Sequence, residues 1–151
     1  MKGGISTDTI GTHEYVSVLR EFVEGGKEVR IRISGSSMYP FLVDGRDYAF
    51  FKTPDRELKA GDIVFYQRAG GQYVLHRICR REGDSFFMAG DGQAEIEGPV
   101  RREQIFALVT HVLRDGKDVY PDDFIWKFYA GFWLKAIPQR LRLIKLYRIL
   151  K

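Results

Sequence analysis

The sequence predicts a mainly β fold: a compact, coiled antiparallel sheet with one helix ahead of it and a basic amphipathic helical tail behind. Three observations carry that expectation. Between residues 28 and 109, short runs rich in β-branched and aromatic residues recur at close intervals, separated by tight Gly- and Asp-containing turns. No strand–helix alternation, internal repeat or low-complexity stretch interrupts them. After Pro121 the character changes to aromatic and basic residues at helical spacing.

The opening helix runs from Thr9 or Thr12 to about Glu24, because Val16, Leu19 and Phe22 or Val23 fall on one face. Thr12 is a candidate cap, and Gly25-Gly26 stops the helix. From Glu28 the period shortens to two. Val29, Ile31 and Ile33 alternate with Arg30, Arg32 and Ser34, as in a half-buried strand ending at Gly35. Further strands are expected at Tyr48-Ala49-Phe50-Phe51, Asp62 to Tyr66, Tyr73 to Ile78, Ser85 to Met88 and Ile105 to Val109. Their punctuation is Asp44-Gly45, Ala60-Gly61-Asp62, Ala69-Gly70-Gly71, Glu82-Gly83-Asp84 and Asp115-Gly116. In the tail, Phe124, Trp126, Phe128, Phe132, Trp133 and Leu134 form a helical stretch that Pro138 breaks. Leu141, Ile144, Leu146 and Ile149 continue beyond it. The expected organisation is a helix at 1–27, a β domain at 28–120 and the helical tail at 121–151.

At 151 residues the chain has room for one domain, and 44% hydrophobic with 14% aromatic content is ordinary for a folded one. The net charge of +4 hides an asymmetry. All 20 acidic residues lie at or before Asp123 with 17 of the 24 Lys and Arg, whereas Phe124 to Lys151 holds seven basic residues and no acid. The single cysteine, Cys79, has no intrachain disulfide partner. Met1 to Asp8 lacks the apolar core of a secretory signal, and no run of about eighteen apolar residues is present. The expected location is therefore the cytoplasm, with the inner membrane face as the surface the tail would touch. One Cys and three scattered His lack metal-ligand spacing, and no Gly-Lys-Ser/Thr follows Gly90-Asp91-Gly92, so neither a metal nor a cofactor is expected.

Two segments carry chemistry. Ile33-Ser34-Gly35-Ser36-Ser37-Met38-Tyr39-Pro40-Phe41 puts hydroxyls in a Gly-containing turn, where backbone N–H groups can meet a developing oxyanion. Val74-Leu75-His76-Arg77-Ile78 puts a histidine inside a strand. A serine needs a base to act as nucleophile, and histidine supplies one near neutral pH. Taken alone, the serines also suit turn positions or caps, and the histidine a structural place in a strand.

Four ordered segments bear a resemblance: Ser36 to Pro40, Ala60-Gly61-Asp62-Ile63-Val64-Phe65-Tyr66, Val74 to Ile78, and Ala89-Gly90-Asp91-Gly92-Gln93. Together, over roughly residues 28 to 113, they resemble the clan of serine peptidases that contains signal peptidase I and the self-cleaving SOS repressors. The resemblance implies Ser37, the serine before Met38, as nucleophile. The position of the clan's usual lysine base falls on His76, which is similar to the endoplasmic-reticulum and sporulation signal-peptidase branch. An unperturbed imidazole near 6.5 places the expected acid limb of kcat/KM at about 6 to 7.5. An acid after the Gly-Asp motif then orients the imidazole; counting from Gly90-Asp91 reaches Glu97, with Asp91 as the competitor through a partner such as Arg77. Gly35 replaces the hydroxyl many bacterial signal peptidases carry two residues before the nucleophile. Oxyanion or substrate contacts accordingly fall to the turn's backbone N–H groups, with Ser36 and Met38 flanking Ser37.

The expected function is a serine endopeptidase that cleaves a peptide or leader segment. The alternative is an inactive or self-cleaving regulatory or binding module of the same fold. The expected partner is an extended peptide with small residues near the cut. Peripheral membrane contact through the 124–151 tail competes with packing of its aromatic half on the body. No nucleic acid is expected, since the tail aromatics follow helical spacing rather than a strand platform.

Overall fold

The computed structural model describes residues 12–150, with side chains from Glu14 onward. Helix α1 (Thr12–Glu24) turns Val16, Leu19 and Val23 into the core and leaves Phe22 half exposed, so the inner stripe runs through Val23. The chain leaves the helix at Gly25-Gly26, where Lys27 N–H closes on the Phe22 carbonyl at 3.1 Å.

Eight strands form one open antiparallel sheet, as the sequence pattern implies: β1 (Val29–Arg32), β2 (Tyr48–Lys52), β3 (Ile63–Gln67), β4 (Tyr73–Glu82), β5 (Ser85–Ala89), β6 (Glu97–Arg101), β7 (Ile105–Arg114) and β8 (Lys117–Val119). Their spatial order is β1-β2-β7-β3-β4-β5-β6, with β8 paired to the far end of β7. Strands β6 and β8 have no counterpart among the expected strands. Glu97-Gly98-Pro99 reads as a turn, and Lys117-Asp118-Val119 is too short and polar for a hydrophobic pattern. Four register shifts, in the β2–β7, β3–β7, β4–β5 and β5–β6 pairings, bend the sheet.

One hydrophobic cluster joins α1, the serine-turn residues Met38, Phe41 and Leu42, one sheet face and the tail residues Trp126, Tyr129, Trp133 and Ile144. A second cluster, with Leu58, Val64, Tyr66, Ile78 and Phe86, fills the other face. The tail folds as α2 (Phe124–Phe128), a π turn over 129–133, a 3-10 turn over 137–139 and α3 (Arg140–Leu150). Pro138 sits in the 3-10 turn, where its missing N–H breaks the helical path. Among the described residues no helix is long and apolar enough to cross a membrane.

Candidate active site

The serine turn lies between β1 and β2. Gly35 takes φ +82°, a conformation that favours glycine, and its N–H donates to Asp44 Oδ1 at 2.8 Å. Tyr39 N–H closes on the Ser36 carbonyl at 3.1 Å and Leu42 N–H on that of Met38 at 2.9 Å, a helical-type turn. Met38, Phe41 and Leu42 plug the core, so the turn is anchored from below while Ser36 stays exposed and Ser37 half-buried. Below the turn, buried Asp47 accepts from the N–H groups of Val43 at 2.7 Å and Asp115 at 2.9 Å, tying it to the β7–β8 hairpin.

Strand β4 carries the other half. His76 pairs with Val64 of β3, and alternation puts His76 and Arg77 on opposite faces of the sheet. Buried Arg77 makes a two-pronged ion pair with buried Asp91 at 2.9 and 2.8 Å, and donates to the Gly61 carbonyl at 2.7 Å. Asp91 thus spends both oxygens on Arg77. The loop holding Asp91 grips the serine turn: Gly92 N–H donates to the Ser37 carbonyl at 2.8 Å, and a Cβ on Gly90 would collide with that carbonyl. Because Arg77 pairs with Ala89, the strand that presents His76 also sets the loop lying against Ser37.

Among the described residues His76, 5% exposed, has one side-chain hydrogen-bond partner: its Nδ1 lies 3.3 Å from the Tyr66 hydroxyl. Tyr66 donates to Glu97 Oε1 at 3.0 Å. Glu97 is held by Arg68, Nε to Oε2 at 2.8 Å and Nη2 to Oε1 at 2.9 Å. Glu97, expected next to the imidazole, is one tyrosine away from it. Burial pushes the His76 pKa down to about 4, against the pull of the Glu97 charge. That is below the 6 to 7.5 range expected for an unperturbed imidazole, because the ring is enclosed rather than solvated. Hydrogen bonds from Arg68 hold Glu97 below the ordinary carboxylate range, against desolvation. Burial, with Glu97 beside it, raises the Tyr66 pKa, so its hydroxyl stays protonated.

The candidate residues therefore fall into two bonded groups, His76-Tyr66-Glu97-Arg68 and Ser37-loop-Asp91-Arg77. Among the described residues no hydrogen bond joins Ser37 Oγ to His76. Burial raises the Cys79 thiol to about 11, which leaves it protonated at neutral pH. Among the described residues no cluster of His, Cys, Asp and Glu has the makings of a metal site.

Four contributors escaped the sequence reading. Tyr66 sits inside an apolar strand motif, and only its same-face register with His76 hints at a contact. Arg68 meets Glu97 across a long stretch of chain. In the tail, Trp133 Nε1 donates to the Asp91 carbonyl at 2.8 Å, and Arg140 Nη1 to those of Gly90 and Gln93, each at 2.9 Å. Arg140 was legible only as the residue one turn before Ile144 on the inner face of α3.

This is the arrangement of a sheet-borne serine turn facing a glycine-rich loop. The family model described as Peptidase S24-like matches residues 2–106, and the chain belongs to that family. Membership points to serine-peptidase-type chemistry within the clan of the SOS repressors and signal peptidase I. No curated protein and no solved structure matches the chain.

Proposed function

We propose that this chain is a serine endopeptidase of the histidine-base type, with Ser37 as nucleophile and His76 as general base. The observation that carries the reading is the hydrogen-bonded run from Glu97 through Tyr66 to His76. Tyr66 has one hydroxyl proton and gives it to Glu97, so its oxygen accepts from His76. The imidazole then carries its proton on Nδ1 and presents the Nε2 lone pair to the serine. Arg68 keeps Glu97 ionised, and that charge favours the imidazolium formed during attack.

Ser37 Oγ bonds to the peptide carbonyl carbon while its proton passes to His76 Nε2. The tetrahedral oxyanion is met by backbone N–H groups of the turn, with Ser36 and Met38 flanking it. The same proton then goes to the leaving amine as the C–N bond breaks. Water then gives a proton to His76 as its oxygen bonds to the acyl carbon, and His76 passes that proton to Ser37 Oγ as the acyl–Oγ bond breaks, releasing the acid. The Ser37–His76 contact forms in the substrate complex, since such bonds are often loose in free enzymes. Asp91 acts through Arg77, fixing the Gly90–Gln93 loop under Ser37 rather than touching the reacting atoms. The substrate class is an extended peptide or leader segment bound by strand addition.

Ser37→Ala and His76→Ala should each abolish nearly all peptidase activity, and the double variant should be little worse than either. Ser36→Ala is the control that survives, and a serine-reactive phosphonate should label Ser37. Full activity in Ser37→Ala would end the assignment.

A further inference from the structure

The inner and outer faces of α3 differ in kind. Arg140 and Ile144 are buried, Leu143 is half-buried, and Tyr147 lies edge-on to Tyr39 at 6.1 Å. Arg148 stacks over the same Tyr39 ring at 4.8 Å. The outward arc, at 100° per residue, runs Leu141, Lys145, Ile149, Arg142, Leu146. Leu141 is 59% exposed, Leu146 51% and Ile149 69%, with Leu150 at 76% beside them. Arg142 and Lys145 are exposed, and no described carboxylate pairs with either; the whole stretch from Phe124 to Leu150 contains no acid.

We propose that this outward face of α3 is a docking surface for an anionic lipid bilayer, the helix lying in the interface plane. Intermixed leucine or isoleucine and cations on one arc match an interface in which alkyl groups enter the acyl boundary and cations meet headgroup phosphates. A second copy fits poorly. Two-fold pairing would bring Arg142 and Lys145 against their own likes without a carboxylate to neutralise them. Nucleic acid would leave the aliphatic side chains without a partner, because α3's exposed face offers no stacking platform.

The buried aromatics of the tail play no part in this surface, whereas Phe124 and Phe132 are exposed ahead of α3. Trp126, Tyr129 and Trp133 are spent on the core, and Trp133 and Arg140 hold the loop beside Ser37. The tail's two expected roles therefore divide between its faces. The face turned inward buttresses the serine turn, and the face turned outward is free to dock. A docked α3 would keep the loop under Ser37 at a set distance from the bilayer. This inference is independent of catalysis and holds equally for a Ser37→Ala protein.

The test uses the full chain carrying Ser37→Ala, so that catalysis plays no part. Cosedimentation with vesicles of phosphatidylcholine is compared with vesicles containing about 40% phosphatidylglycerol. Binding should be at least about tenfold tighter on the anionic vesicles and should fall steeply with salt. Each outward cation near such a surface is expected to contribute about fivefold, so Arg142→Glu with Lys145→Glu should weaken binding by more than about 25-fold. Leu141→Asp with Ile149→Asp should abolish it. All four positions are exposed, and an unchanged thermal midpoint verifies the fold; if either pair unfolds, Leu141→Ser with Lys145→Gln replaces it. Absence of anionic-vesicle binding at low salt overturns the proposal, as does undiminished binding by the folded variants. A concentration-dependent dimer that the same substitutions dissolve, without lipid binding, would assign the face to a second copy and equally overturn it.

Discussion

His76 should make the protein sensitive to mild acid, in a way that can be isolated from every other titrating group. Its ordinary value of 6.5 is pushed down to about 4 by burial on β4, beside its β3 neighbour Tyr66. Between those values the unfolded chain binds a proton that the folded chain refuses, so stability rises with pH across this window and falls as pH is lowered. Above about pH 7.5 the ring is neutral in both states and contributes no slope. From about pH 7 to about pH 5 the linkage relation gives a loss of about 2 kcal/mol, growing to about 3 kcal/mol near pH 4. His76→Gln keeps a polar side chain of similar reach and removes the titration. Carboxylates contribute their own acid slope to both proteins, and it cancels in the comparison. Urea unfolding at a series of pH values would be fitted for each protein, and the difference between the two free-energy curves plotted against pH. That difference should be flat above about pH 7.5 and change by about 2 kcal/mol by about pH 5, with wild type losing ground. Parallel curves over that interval would refute the reasoning, since they would mean that the imidazole takes up its proton as readily folded as unfolded.

The remaining expectations concern the groups around it. Tyr66→Phe removes the bridge to Glu97, and a hydrogen bond to a group that becomes charged is worth about 1.5–3 kcal/mol, so kcat/KM should fall roughly 10- to 100-fold. The loss should appear mainly in kcat, with the acid limb of the pH profile moved from its wild-type position; an unchanged profile would leave Tyr66 as packing only. Asp91→Ala strands the buried Arg77 guanidinium and should cost about 3–5 kcal/mol in denaturant unfolding, whereas Glu97→Gln, at a partly exposed pair, should depress activity with little loss of stability. Equal stability losses in the two would contradict the division of labour between the carboxylates.

Much of this fold could be read before any coordinates, because its central strands announce themselves by composition. Ile63-Val64-Phe65-Tyr66, which follows Gly61-Asp62, and Ile105 to Val109 are nearly continuous apolar runs, and both lie in buried strands, the second continuing to Arg114. Strand β6 was hidden because Gly98 and Pro99 break the usual strand signature, and only pairing with β5 makes it a strand. The site divides in the same way. Ser37 and His76 stand in local patterns with recognisable neighbours. The Tyr66 bridge depends on a cross-strand register and on Glu97 arriving from an edge strand, neither of which leaves a trace in linear spacing. The tail's contacts with Gly90, Asp91 and Gln93 are similarly non-local: Trp133 reads as one more helix aromatic until its indole N–H finds a carbonyl in the loop.

Under the function proposed above, His76 is a buried base with a depressed pKa, and such a base is weak. A fully solvated imidazole would be readily protonated below its ordinary value and unavailable to accept the Ser37 proton; enclosing it keeps Nε2 unprotonated well into the acid range. The same enclosure penalises the imidazolium that attack must create, which is why an anion within reach matters. Glu97 supplies the charge, but a carboxylate in direct contact would raise the resting basicity and invite a proton before substrate arrives. Interposing Tyr66 leaves the carboxylate close enough to favour the imidazolium yet lets burial dominate at rest. Arg68 sharpens the compromise, since it keeps Glu97 ionised while its own charge disfavours a proton on His76. On this account the longer acid is no defect. Glutamate at position 97 spans from edge strand β6 to a tyrosine on β3, and under the proposed function the four-residue run His76-Tyr66-Glu97-Arg68 has a reason: a single aspartate against the imidazole would make a stronger, earlier-protonated base.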